Sequence, residues 1–153
     1  VTRRVPRRRD GADRPLATTF RRSAAGFHAA AEAALPQYPE AARYDLAIAI
    51  ELALKAHLLH RGISDDWNRV YLRHDLTKAL RFARRAGFNG APAALPELAA
   101  LLSPYYKVHA ISRMPPEAVA SVCWSQACMT VRDLIDAVVE AAGREASDHE
   151  GAA

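Results

Sequence analysis

The stretch Leu46 to Leu59 constrains this chain more than any other, because Leu46, Ala47, Ile48, Ala49, Ile50, Leu52, Ala53 and Leu54 leave no side of a helix polar. A helix apolar all round belongs at the centre of a bundle. Pro39-Glu40 suits its first turn, and Gly62 suits the left-handed position just past its end, so the spacing predicts a helix from Pro39 to about Arg61. Two charges interrupt it. Glu51 and Lys55 stand four apart, glutamate first, which is the favourable order for an ion pair within a helix. Tyr44, Ile48, Glu51 and Lys55 share one face, so that face lines a polar cleft or interface, or else is a solvated seam carrying an ordinary surface pair.

The rest of the chain reads as helices that pack around this one. Thr18 or Thr19 caps a helix over 20–34 that Pro36 ends. Ser64, Asp65 and Asp66 start a short turn of helix in the connector 63–73, and Asp75 caps a helix to about Ala86, followed by Gly87. Pro96-Glu97 opens another through about Tyr106, which Pro104 kinks or shortens. Pro115-Pro116-Glu117 opens the last, to about Ala142, with apolar residues at 120, 124, 127, 131, 134, 138 and 141 forming a bundle stripe. Nothing alternates with period two. The expected fold is all-α, an up-and-down antiparallel bundle of four to five helices over 17–143, between a disordered arginine-rich segment over 1–16 and a frayed polar end over 144–153.

Charge narrows the function classes. The net +4 sits wholly in the first fourteen residues, where six arginines face Asp10 and Asp13, and the remaining basic and acidic side chains are equal in number. No apolar run approaches a membrane span of about 18 residues, and the basic segment lacks the apolar stretch of a secretory signal. A cytoplasmic protein without membrane contact is expected. Cys123 and Cys128 lie on different faces of the predicted last helix and read as small buried apolar residues. His57 and His60 are three apart, with no third ligand evident, so neither a metal nor a cofactor is expected. His28 and His109 are isolated, Trp124 fills core or a dimer interface, and His74 packs beside the Asp75 cap.

The run Ala49-Ile50-Glu51-Leu52-Ala53-Leu54-Lys55-Ala56-His57-Leu58-Leu59, then Gly62, then His74-Asp75-Leu76, resembles the HEPN domain (higher eukaryotes and prokaryotes nucleotide-binding). The later run from Leu95 to Tyr106 is similar to the segment after that family's third helix, and the resemblance covers roughly 40–140. It implies an antiparallel helical bundle, often a homodimer, often encoded beside a minimal nucleotidyltransferase partner, and recurrent in toxin-antitoxin and defence systems. One branch ends its fourth helix with tyrosine, three residues, then Arg-Tyr-Pro around a nucleotide cleft. Here the counterparts are Tyr106 and Arg113-Met114-Pro115, with six residues between and methionine for the second tyrosine. The implied nucleotide site is Tyr44, Glu51, Lys55, Tyr106 and Arg113, with Lys55 and Arg113 toward phosphate and Tyr106 stacked on a base of a nucleotide or RNA end.

Other members are metal-independent ribonucleases that use an arginine and a histidine separated by four to six residues. That spacing occurs at Arg69 and His74, at Arg21 or Arg22 and His28, and at Arg144 and His149. With 18 arginines in the chain such matches arise by chance, and Arg113, near the start of the last helix, has Ala118, Val119 and Ala120 where histidine is needed. The leading expectation is therefore a non-catalytic binding module. A ribonuclease using Arg69 and His74 is the first alternative, and a purely dimeric interaction protein the second.

Overall fold

The computed structural model describes residues 12–152, apart from the side chains at 146 and 149. The fold is all-α. Its helices are α1 (Arg14–Ala34), α2 (Pro39–His60), α3 (Asp65–Trp67), α4 (Leu76–Arg85), α5 (Leu95–Tyr106), α6 (Pro116–Ala120) and α7 (Trp124–Glu150), with no strand among the described residues. A π-helical turn, Asn68–Leu72, continues α3, and a 3₁₀ turn, Ile111–Arg113, follows α5.

As its composition requires, α2 is central: it packs against α1, α4, α5 and α7, and Leu46, Ile50, Leu54, Leu58 and Leu59 are wholly buried. Its end is set by glycine. Gly62 takes φ 87°, its N–H reaches Leu59 O at 3.1 Å, and the buried Ile63 donates to Leu58 O at 2.9 Å. This pair of bonds satisfies carbonyls that the helix end leaves open. Gly87 ends α4 in the same way, at φ 93°, with bonds from Gly87 N to Arg84 O and from Phe88 N to Ala83 O, both 3.0 Å. An added Cβ at Gly87 meets nothing closer than 3.6 Å, so only the backbone conformation opposes it. Gly87→Ala is expected to lower stability by about 1 kcal/mol, measured as a shifted denaturant midpoint with unchanged slope. An unshifted midpoint would show that this turn tolerates a side chain.

Several boundaries differ from the sequence reading. The first helix starts at Arg14 because Asp13 Oδ1 accepts from Leu16 N at 3.2 Å, while the hydroxyls of Thr18 and Thr19 turn back to the carbonyls of Arg14 and Pro15. Residues 14–16 thus belong to a helix and not to the arginine-rich segment, whose residues 1–11 lie outside the described ones. The last predicted helix is two. The chain leaves helical geometry over 121–123, a run of β-branched and hydrogen-bonding side chains with weak helix propensity. The corner is closed by Trp124 Nε1 donating to Val119 O at 3.0 Å. Beyond it the stripe holds, with Ala127, Val131, Leu134 and Val138 buried, but Ala120 and Cys123 are exposed. Cys128 is buried as expected, and both thiols are free.

Past Gly143 the described chain stays helical. α7 runs to Glu150 because Glu145 anchors it to the end of α2, with Oε2 2.7 Å from His60 Nε2 and Oε1 accepting from Arg61. Among the described residues no helix is long and apolar enough to cross a membrane.

Candidate functional site

The face of α2 that carries Glu51 and Lys55 turns toward α5 and the connector that leads into α4, and both residues are only 7 % exposed. The surface-pair alternative is thereby removed. Lys55 Nζ donates to Glu51 Oε1 and, at 2.9 Å, to the carbonyl of Arg73. Tyr106, at the end of α5, donates its hydroxyl to Glu51 Oε2. His74 Nδ1 lies 3.2 Å and 3.1 Å from the two carboxylate oxygens. Burial alone raises a carboxyl pKa, but the Lys55 charge and the hydrogen bonds from Lys55, Tyr106 and His74 outweigh it and hold Glu51 below the ordinary carboxylate range. Burial, and then the neighbouring Glu51 charge, push the Tyr106 phenol far above its ordinary range, so it stays a neutral donor.

His74 is where this buried network reaches the surface, with 42 % of its side chain exposed. Its ring meets Tyr106 edge-on at 5.3 Å and His109 edge-on at 5.1 Å between centroids. Asp75 fixes its place in the chain. Its Oδ1 caps α4 by accepting from Lys78 N at 3.0 Å and accepts from Ser103 Oγ at 3.2 Å, while Ser103 Oγ accepts from Leu76 N at 3.0 Å. Lys107 Nζ lies 3.7 Å from Asp75 Oδ2. The start of α4 is thus pinned to the end of α5, and the expected Asp75 cap with His74 beside it is what the structure has.

Two residues around this pair hold unusual backbone. Arg73 has φ 49°, ψ −124°, a conformation that favours glycine, and His109 has φ 55°. Such conformations cost of order 1–3 kcal/mol each and persist where surrounding contacts fix them. For Arg73 those contacts are the bond from Lys55 to its carbonyl and the bond from its N–H to Asn68 O at 3.0 Å, which closes the π turn. The Asn68 side chain is fully buried and its amide makes no hydrogen bond. Arg73→Gly is expected to raise stability by about 1 kcal/mol by relieving the strain, less glycine's entropic cost. A denaturation curve showing a loss instead would mean that the arginine side chain holds this turn.

The structure joins Glu51, Lys55 and Tyr106 from the predicted set and adds His74, which the sequence had offered only for the ribonuclease alternative. Lys55 is turned inward, its donors directed to Glu51 and Arg73. Tyr44 stands one step away: its hydroxyl accepts from Ile111 N at 3.3 Å and holds the 3₁₀ turn whose last residue is the exposed Arg113. Arg69 is exposed on the π turn and is not among the groups that touch His74. His28 is buried, its Nε2 2.8 Å from Cys128 O, away from Arg21 and Arg22 in role. The His149 side chain lies outside the described residues.

His109 is the residue that sequence reasoning missed. It lies 35 positions from His74, with no periodic pattern linking them, and only its left-handed backbone, invisible in sequence, turns it back onto the site. His57 and His60 face different partners, Ala86 O at 3.3 Å and Glu145, and no cluster of three His, Cys, Asp or Glu able to hold a metal occurs among the described residues. A surface cleft of about 280 Å³ between α5 and the α6–α7 corner, lined by Leu98, Leu101, Val122, Cys123, Gln126 and Ala127, lies apart from the network. Its ionisable lining groups are Glu97 and Cys123, with no histidine, lysine or arginine beside them, so the candidate site is His74 and what stands behind it. Comparison with known protein families, with characterised proteins and with solved structures finds no match.

Proposed function

We propose that this chain is a HEPN-like helical module that binds a phosphate-bearing ligand, a nucleotide or an RNA end, at the surface formed by His74 and His109. The observation that carries this reading is the carboxylate-backed pair of imidazoles. Glu51 fixes one edge of His74, His109 stands 5.1 Å away, and neither ring is spent on packing the core. Imidazoles that present N–H groups to solvent bind phosphate oxygens by charge-assisted hydrogen bonds. Arg73, exposed beside His74, adds a donor that suits phosphate in two-pronged geometry. The charges of Glu51 and Lys55 offset one another, so a bound anion meets no uncompensated carboxylate.

Adenosine 5′-monophosphate titrated into the protein in a calorimeter tests this. Saturable binding that His74→Ala weakens at least about tenfold, the loss of one charged hydrogen bond, is expected. Absence of heat with mono-, di- and triphosphates would refute it. A homodimer, a minimal nucleotidyltransferase partner and a role in a toxin-antitoxin or defence system follow from the HEPN resemblance and form part of the same proposal.

One observation favours a second reading, the metal-independent ribonuclease. A carboxylate on Nδ1 of His74 leaves Nε2 to accept a proton, the arrangement of an oriented general base. Under that reading RNA is degraded in the presence of a chelator and His74→Ala abolishes the activity. Cleavage that survives His74→Ala would dismiss it.

A further inference from the structure

We propose that the site selects a terminal phosphate monoester over an internal phosphodiester and takes up a proton as it does so. This rests on the phosphate-binding reading above and adds to it the ligand class and the linkage to pH.

The argument begins at Nδ1 of His74. A carboxylate only accepts hydrogen bonds, so the nitrogen 3.1 Å and 3.2 Å from Glu51 oxygens carries the proton. The outward nitrogen, Nε2, then bears hydrogen only when the ring is an imidazolium. A neutral His74 presents a lone pair to an incoming phosphate oxygen and repels it. Binding an anion here therefore requires the ring to be charged.

His109 makes that requirement selective. Its ring centroid is 5.1 Å from that of His74, so two imidazolium charges repel each other at this separation. Of the charges facing the pair, Glu51 directly favours a charged His74 ring, and the rest largely offset one another. On α2, Glu51 is matched by Lys55. At the α4 and α5 ends, Asp75 is paired with Lys107, and Tyr106 is neutral. In the connector, Arg73 adds positive charge. An anion across the two rings offsets that repulsion and favours charging both. A monoester phosphate carries about −1.5 to −2 near neutral pH, enough to offset two imidazoliums, whereas a diester carries a single charge and offsets one.

The probes are the dinucleotide pApA, with a 5′-terminal phosphate, and ApA, which has only the internal diester. Titration calorimetry on the full chain in two buffers of different ionisation heat reads affinity and proton uptake together. pApA is expected to bind at least about tenfold more tightly than ApA near pH 7, with net proton uptake. His109→Asn keeps the left-handed backbone, which asparagine tolerates, and is expected to melt like the parent, keep the proton uptake at His74 and narrow the preference to about threefold or less. Equal affinity for pApA and ApA, or binding without proton uptake, overturns this inference and leaves the phosphate-binding reading standing. Failure of both probes to bind overturns the two together.

Discussion

Lys55→Met is expected to destabilise the fold by about 3–5 kcal/mol, the usual consequence of stranding one member of a buried ion pair. Glu51 and Lys55 are equally buried, and Lys55 is the permanent charge that offsets Glu51. Without the ammonium, Glu51 keeps its bonds from Tyr106 and His74 but loses the charge that holds it ionised, and the carbonyl of Arg73 loses its donor. The strained turn that places His74 loosens as well. Replacing both residues together, Glu51→Leu with Lys55→Met, removes the unpaired charge and is expected to recover at least about half of the loss, since apolar replacement of a whole buried pair is often tolerated. Denaturant unfolding of the parent, the two single variants and the double variant closes the cycle. A cost below about 1 kcal/mol for Lys55→Met, typical of exposed pairs, would put the pair in solvent and remove the foundation of the site.

The second large effect is on stability against pH and arises away from the site. His57, buried in α2 with Nε2 3.3 Å from Ala86 O and its ring 5.1 Å from Phe88, is pushed down to about 4, mainly by burial. A histidine whose folded value is depressed is neutral in the fold and takes up its proton on unfolding. Its contribution is complete above its ordinary value of 6.5 and is lost as pH falls from there toward about 4. Across that window the loss approaches about 3 kcal/mol. His60, lowered in the same direction chiefly by burial, adds to it. Glu51, held below the ordinary carboxylate range, contributes above that range and gives way only at more acid pH. Unfolding free energy measured from about pH 7 to about pH 4.5 should therefore fall steadily, and His57→Leu should flatten most of that slope. A parent curve level over this range would contradict the buried neutral imidazole.

What the sequence disclosed was the framework. The all-round apolar α2, the two glycine caps at Gly62 and Gly87, and the Asp75 cap each follow from local rules that tertiary packing reinforces, and all appear where expected. The ends of the chain were harder to read, because Asp13 captures the first turn and Glu145 recruits the last. Such long-range or competing partners leave no periodic trace. The site was half legible. Glu51 and Lys55 stood out as charges in an apolar helix, and Tyr106 was marked by resemblance to HEPN domains. His109 and the turn at Arg73 were not, since neither position carries the glycine or asparagine that announces a left-handed backbone. Nor did Lys55's inward direction show in its spacing, which fits a surface pair equally well.

The most direct test of the proposed phosphate-binding site is to follow the imidazole nitrogens by NMR while adenosine 5′-monophosphate is added. Saturable shifts are predicted at the ring nitrogens of His74 and His109 together, sharing one dissociation constant, while buried His28 and His57 stay still. Shifts confined to residues of the cleft between α5 and α7, or none at His74 at saturating ligand, would contradict the account.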